Sequence, residues 1–167
     1  SSIHFGIGDS AFIAELSSLE GRSRSKVTTW AYAVAAGFTP VVIPLISKRS
    51  TEALEQVNPV LIDWHQGFDS EILVAMSLVV TFSIFLLAKE RALRDLADLL
   101  LLVGLVSFAP PLVAFATYFG TWHAMRHTAR LTSLLTKSQL HHSEGKSLAA
   151  FASAVIPGLP ALVCTFI

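Results

Sequence analysis

Long uninterrupted apolar runs constrain this chain more than any other feature. Residues 28–47 (TTWAYAVAAGFTPVVIPLIS) and 71–88 (EILVAMSLVVTFSIFLLA) each approach the roughly 20 residues a helix needs to cross a bilayer core. Residues 148–167 do so as well, with a Pro-Gly-Leu-Pro interruption from Pro157 to Pro160. Composition agrees: 53% of the 167 residues are hydrophobic and 14% charged, with a mean hydropathy of +0.61. These values lie on the apolar side of a soluble domain. The expected class is therefore all-α, a polytopic transmembrane helical bundle forming one domain over residues 1–167.

Residues 92–134 allow two readings. One long helix ending near Gly120 leaves His123, Arg126 and His127 in a polar loop. Two helices hinged at Ala109, Pro110 and Pro111 carry all three into the second. Basic residues decide between them, because they concentrate on the cytoplasmic side. With two helices, and residues 1–19 as the first span, Arg22, Arg24, Lys26, Lys89, Arg91, Arg94, Arg130, Lys137 and Lys146 share one side, against Lys48 and Arg49 on the other. With one helix the twelve basic residues divide evenly. Six spans follow, at 1–19, 28–47, 71–88, 92–108, 111–134 and 148–167. Pro40 and Pro44 are expected to kink or end a helix, as are Pro110 and Pro111.

A formal net charge of zero points to neither nucleic acid nor another polyelectrolyte partner. Cys164, the single cysteine, cannot form an internal disulfide and reads as a small apolar-facing residue. The chain opens at SSIHFG without an initiator Met, so a fragment lacking earlier helices is expected.

Three histidines lie in otherwise apolar stretches: His4, His123 and His127. At i and i+4, His123 and His127 project from one helix face and can reach one metal ion. Such a pair also arises on solvated helices, but ionisable groups at membrane depth are rare and usually functional. At 1.5 Å per residue from the cytoplasmic helix ends, His4 lies about 22 Å up its span, and His123 and His127 about 16 and 10 Å up theirs. Asp9, about 140° around the helix from His4, suits a supporting role or an ion pair with Arg126. Tyr118 and Arg126 are the other candidates for orienting the imidazoles. Phe5, Phe12, Phe115, Phe119 and Trp122 are core aromatics whose clustering beside the histidines fits an apolar substrate channel. His65, in NPVLIDWHQGF beside Asp63 and Trp64, reads as interfacial. His141 and His142 read as part of a solvated loop. A bis-histidine haem protein, a desaturase and a transporter with Asp9, Glu15 and Arg126 as coupling charges are the competing classes.

HFGIGD at 4–9 and AFATYFGTWHAMRH at 114–127 resemble the two C-terminal signatures of the Brp/Blh family, integral-membrane β-carotene 15,15′-dioxygenases related to bacteriorhodopsin biosynthesis. The resemblance extends to the layout of nearly the whole chain. It implies an Fe(2+) centre held by histidines that cleaves β-carotene with O2 into two molecules of retinal. By motif, His4, His123 and His127 take ligand positions. It also implies a bacterial or archaeal inner-membrane location and a functional link to a microbial rhodopsin, which uses retinal as chromophore. The family's N-terminal histidine motif has no counterpart here, in keeping with an expected fragment.

Overall fold

The computed structural model describes residues 2–19, 21–55 and 66–158. Asp63, Trp64, His65, Pro160 and Cys164 lie outside them. The described residues are helical, with no strand among them. Helix α1 covers Ser2–Leu19, α2 Lys26–Ile46, α3 Lys48–Glu55, α4 Asp69–Lys89 and α5 Leu93–Phe108. Then α6 covers Pro111–Thr117, a π-helical turn Tyr118–His123, α7 Ala124–Leu131, α8 Thr136–Ser143 and α9 Ser147–Val155.

Local chemistry sets these boundaries. Ser25 caps α2 by accepting the Thr28 N–H at 3.1 Å. Pro40 and Pro44 do not end that helix, which runs on to Ile46. Pro110 and Pro111 do break the chain. Ala109 and Pro110 are extended, and Pro111 opens α6 at the first helical position, where a missing N–H costs nothing. The two-helix reading of residues 92–134 therefore holds. His141 and His142 lie on helix α8 rather than in a loop, ahead of a turn at Gly145 with φ of 73°.

Helix α2 is the centre of the packing and contacts α1, α4, α5 and α6. Tyr32, Ala35 and Ala36 of α2 meet Ile13 of α1, Leu87 of α4, Leu99 and Leu102 of α5, and Tyr118 in the core. Its ends are tied by polar contacts. Thr28 donates to Glu90 at 2.6 Å just beyond α4. What little burial Glu90 has pushes its carboxyl up, but hydrogen bonds from Thr28 and Ser25 and the charge of Arg24 outweigh this and hold it below the ordinary range. Arg24, before α2, pairs with Asp95 of α5 at 2.5 Å.

Only α2 and α4 are long and apolar enough, among the described residues, to cross a membrane. Helix α1 has 18 residues and carries Asp9 and Glu15, while α5 has 16. Residues 111–131 form a continuous helical path of three pieces. The expected last span begins as the short α9 after the α8 turn.

Contact between α1 and α2 is close enough to exclude any side chain. A Cβ on Gly6 would overlap the Ala33 carbonyl, and one on Gly37 the Ser2 carbonyl. Two glycines thus let the backbones meet, the small-residue device common in membrane helices. Gly6→Ala and Gly37→Ala should each destabilise the fold by about 1–3 kcal/mol. Gly104→Ala, in open space on α5, should be neutral or stabilise by up to about 1 kcal/mol. Thermal unfolding followed by circular dichroism in detergent checks this; equal effects at the three positions would contradict the crossing geometry.

Candidate functional site

The α1–α2 crossing fixes α1 so that its polar face meets the π-helical turn and α7. Asp9, fully buried, is the centre of that contact. Its Oδ2 accepts the Tyr118 hydroxyl at 2.9 Å, and its Oδ1 lies 3.5 Å from His123 Nδ1. Neither Oδ1 nor Nδ1 has a hydrogen-bond partner, and the two face each other. Tyr118 and His123 are five residues apart and would be about 140° apart on a regular α-helix. The π turn removes that separation. Ala124 N–H donates to the Phe119 carbonyl, five residues back, and residues five apart come to one side.

His123 is the buried member of the histidine set, at 8% exposure, whereas His4 and His127 are exposed. Ring centroids are 6.3 Å apart for His4 and His123 and 6.2 Å for His123 and His127, whose planes differ by 14°. Phe5 packs edge-on to His123 at 4.5 Å, and Phe119 lies 5.9 Å away. Phe5 and Phe115 line a cavity of about 330 Å³ with Val41, Pro44, Leu45, Leu112 and one polar residue, Ser50. The five expected channel aromatics therefore divide. Phe5, Phe115 and Phe119 gather at the histidines, while Phe12 and Trp122 flank Arg126 at 5.8 and 6.0 Å.

Arg126 does not pair with Asp9. Its Nη2 meets Asp98 Oδ1 of α5 at 2.5 Å. The same oxygen accepts Trp122 Nε1 at 2.9 Å, and Oδ2 accepts the Tyr32 hydroxyl from α2. Asp98 takes Nη2 of the guanidinium, while its buried Nη1 has no hydrogen-bond partner; Asp9 is engaged by Tyr118 instead. Glu15 is also paired, with Arg130 at 2.9 Å, so α7 is tied to α1 at that end. His141 lies 4.0 Å from Glu144, far along the chain from the other histidines.

The donor chemistry fits a metal with histidine ligands. Asp9 on Nδ1 of His123 leaves Nε2 as the free nitrogen, the carboxylate–histidine pattern typical of metal-bound imidazole. With metal–nitrogen bonds of about 2.1 Å, two imidazoles on one ion have centroids about 4.5–6.5 Å apart. The observed separations lie at the wide end of that range. Among the described residues, no three histidine, cysteine, aspartate or glutamate side chains come together as a group able to hold a metal ion; the histidines stand as two neighbouring pairs that share His123.

The sequence family described as Beta-carotene 15,15'-dioxygenase matches residues 1–167. The chain belongs to that family. It is 30% identical over 160 residues to the Beta-carotene 15,15'-dioxygenase of Uncultured marine bacterium 66A03, a match covering 92% of this chain and 50% of that protein. The chain thus spans about half the length of this curated relative. No solved structure matches it significantly.

Asp98 and Tyr32 escaped the sequence reading. Asp95 and Asp98 stand three residues apart at the head of an apolar helix, where acidic residues read as an ordinary helix start. The one usable signal was Arg126, an arginine in an apolar segment that required a carboxylate. Asp98→Asn should cost about 3 kcal/mol by leaving the Arg126 guanidinium without its counter-charge. Combined with Arg126→Gln, the total should fall at least ~1 kcal/mol short of the sum of the single losses, while Asp9→Asn with Arg126→Gln should be additive within about 0.5 kcal/mol. Denaturant unfolding of the three single and two double variants measures both couplings, and the reverse pattern would restore Asp9 as the partner.

Proposed function

We propose that this chain forms the C-terminal part of an iron-dependent membrane enzyme that cleaves β-carotene at its central 15,15′ double bond with O2, giving two molecules of retinal. The observation that carries the reading is the Asp9–His123 contact, which orients a buried imidazole beside His4 and His127 within a family named for this activity. His4, His123 and His127 would hold Fe(2+). Imidazole nitrogen suits iron, and a set short of full coordination leaves room for O2. The chemistry supplied by the bound iron is activation of O2, which no side chain of this chain offers.

The remaining work falls to the chain itself. Asp9, held in place by the Tyr118 hydroxyl, faces His123 Nδ1 at 3.5 Å, where its carboxylate would accept the ring proton and so set the orientation of the imidazole. Phe5 and Phe115 wall the cavity with apolar surface, and Phe119 packs against both rings. A hydrocarbon without polar handles is bound by shape and desolvation alone, and these rings supply both. Each aldehyde product carries one oxygen atom.

The substrate resides in lipid, and the reading places the chain there too, as six spans in a bacterial or archaeal inner membrane. Support comes from the two helices able to cross a bilayer, the basic-residue asymmetry and the outward apolar face of α4, where Leu73, Val74, Leu78, Phe82 and Phe85 are exposed. Retinal released there would supply a retinal-binding partner such as a microbial rhodopsin.

His4→Ala, His123→Ala and His127→Ala should each abolish iron binding and retinal formation, and Asp9→Asn should weaken iron binding about 10–100-fold. His141→Ala should change neither. Metal analysis of the purified protein, with retinal measured by chromatography from β-carotene-producing cells, tests the assignment; uniform behaviour of all five variants would overturn it. Topology has its own test. Reporters fused after Lys26, Lys89 or Lys137 should read cytoplasmic, and those after Arg49 or Pro110 should read the opposite side.

A further inference from the structure

Helices α2 and α4 leave between them an outward-facing groove of about 440 Å³, lined by Trp30, Ala31, Val34, Val79 and Phe82, with Lys26 at one end. Trp30 is 58% exposed and Phe82 50%. Lys26 stands one turn before Trp30 on α2. Lys89 stands seven residues after Phe82 on α4, within about 20° of the same face. The Thr28–Glu90 hydrogen bond holds these two helix ends side by side. Both lysines therefore rim the same end of an apolar groove.

Neither lysine has an ion-pair partner among the described residues, and both are exposed. The nearest acidic group in sequence, Glu90, is exposed, with its carboxylate engaged by the Thr28 hydroxyl at 2.6 Å rather than by either lysine. Helix stability does not account for Lys26: it occupies the first turn of α2, where positive charge opposes the macrodipole and no acidic residue compensates. An apolar trough ending in two unpaired cations is complementary to an amphiphile with an anionic head.

We propose that the α2–α4 groove binds one anionic phospholipid, with an acyl chain along Trp30, Val34, Val79 and Phe82 and the phosphate on Lys26 and Lys89. A zwitterionic lipid would bring its own cation against the lysines and is disfavoured. The inference rests on the membrane-embedded reading above.

Trp30 lies in the groove and serves as the probe. The full chain is reconstituted in phosphatidylcholine vesicles containing increasing fractions of brominated phosphatidylglycerol or brominated phosphatidylcholine. The Trp30 contribution is the quenching lost in Trp30→Phe. Half-maximal quenching by the brominated phosphatidylglycerol is expected at an about tenfold lower mole fraction than by the brominated phosphatidylcholine. Raised salt should narrow the difference, and Lys26→Gln with Lys89→Gln should abolish it. Equal quenching by both lipids in the unmodified chain overturns the anionic site while leaving the membrane reading intact. Quenching by neither overturns both. A preference that survives the double lysine substitution also overturns the site, since other cations would then cause it.

Discussion

Two carboxylates inside an apolar bundle, one fully buried and one half-buried, set the terms for everything around them. A carboxylate removed from water costs several kcal/mol unless its oxygens are engaged, so Asp9 on α1 and Asp98 on α5 each require donors at fixed positions. One helical path supplies both. Tyr118 and His123 serve Asp9, while Trp122 and Arg126 serve Asp98. Residues 118–126 are thereby clamped between α1 and α5, with Tyr32 of α2 closing the second cluster. Freeing either carboxylate would release the segment that carries His123 and His127.

The π turn makes this double service possible. Trp122 and Arg126 are four apart and share a face on any α-helix, but Tyr118 and His123 do not. The widened turn between Tyr118 and His123 brings them together without disturbing the regular spacing that follows. Gly120, inside it, meets nothing within 4 Å of where a Cβ would stand, so the turn is not forced by crowding there. Donor placement toward Asp9 is the physical account that the geometry supports, and π turns recur at functional sites for this kind of reason.

Much of the scaffold was legible because it follows from periodicity and proline chemistry. The boundaries of α1, α2, α4 and α5 fall within two residues of the apolar runs, and the Pro110–Pro111 break separates α5 from α6 where the basic-residue asymmetry placed it. The proximity of His4 to His123 was also readable, from depth along two spans. What sequence could not supply was the rotation within residues 118–123. A regular helix predicts Tyr118 and His123 on different faces, so their convergence on Asp9 was invisible. The Asp9–Arg126 pairing failed for a related reason: charge balance alone cannot rank two carboxylates when the placement of the helices decides which one the guanidinium reaches. Asp98, at the polar head of α5, is the carboxylate that Arg126 reaches.

The same clamp divides the surroundings of His123 into a dry side and a polar side. Phe5 and Phe115 line the apolar cavity, with Phe119 packed against both. Phe12 and Trp122 lie toward Arg126, where a second cavity of about 250 Å³ is lined by Asp95, Asp98 and Arg94. Such separation follows from the pairing pattern. Had Arg126 met Asp9, its guanidinium would have sat beside the His123 ring and brought charge and water to the hydrocarbon side. Drawn off by Asp98, it leaves Asp9 with only a hydroxyl and an imidazole, two partners that can orient a ligand nitrogen. Asp98 thus acts on the proposed site without touching it, by keeping a cation out of the space where an apolar substrate would have to lie.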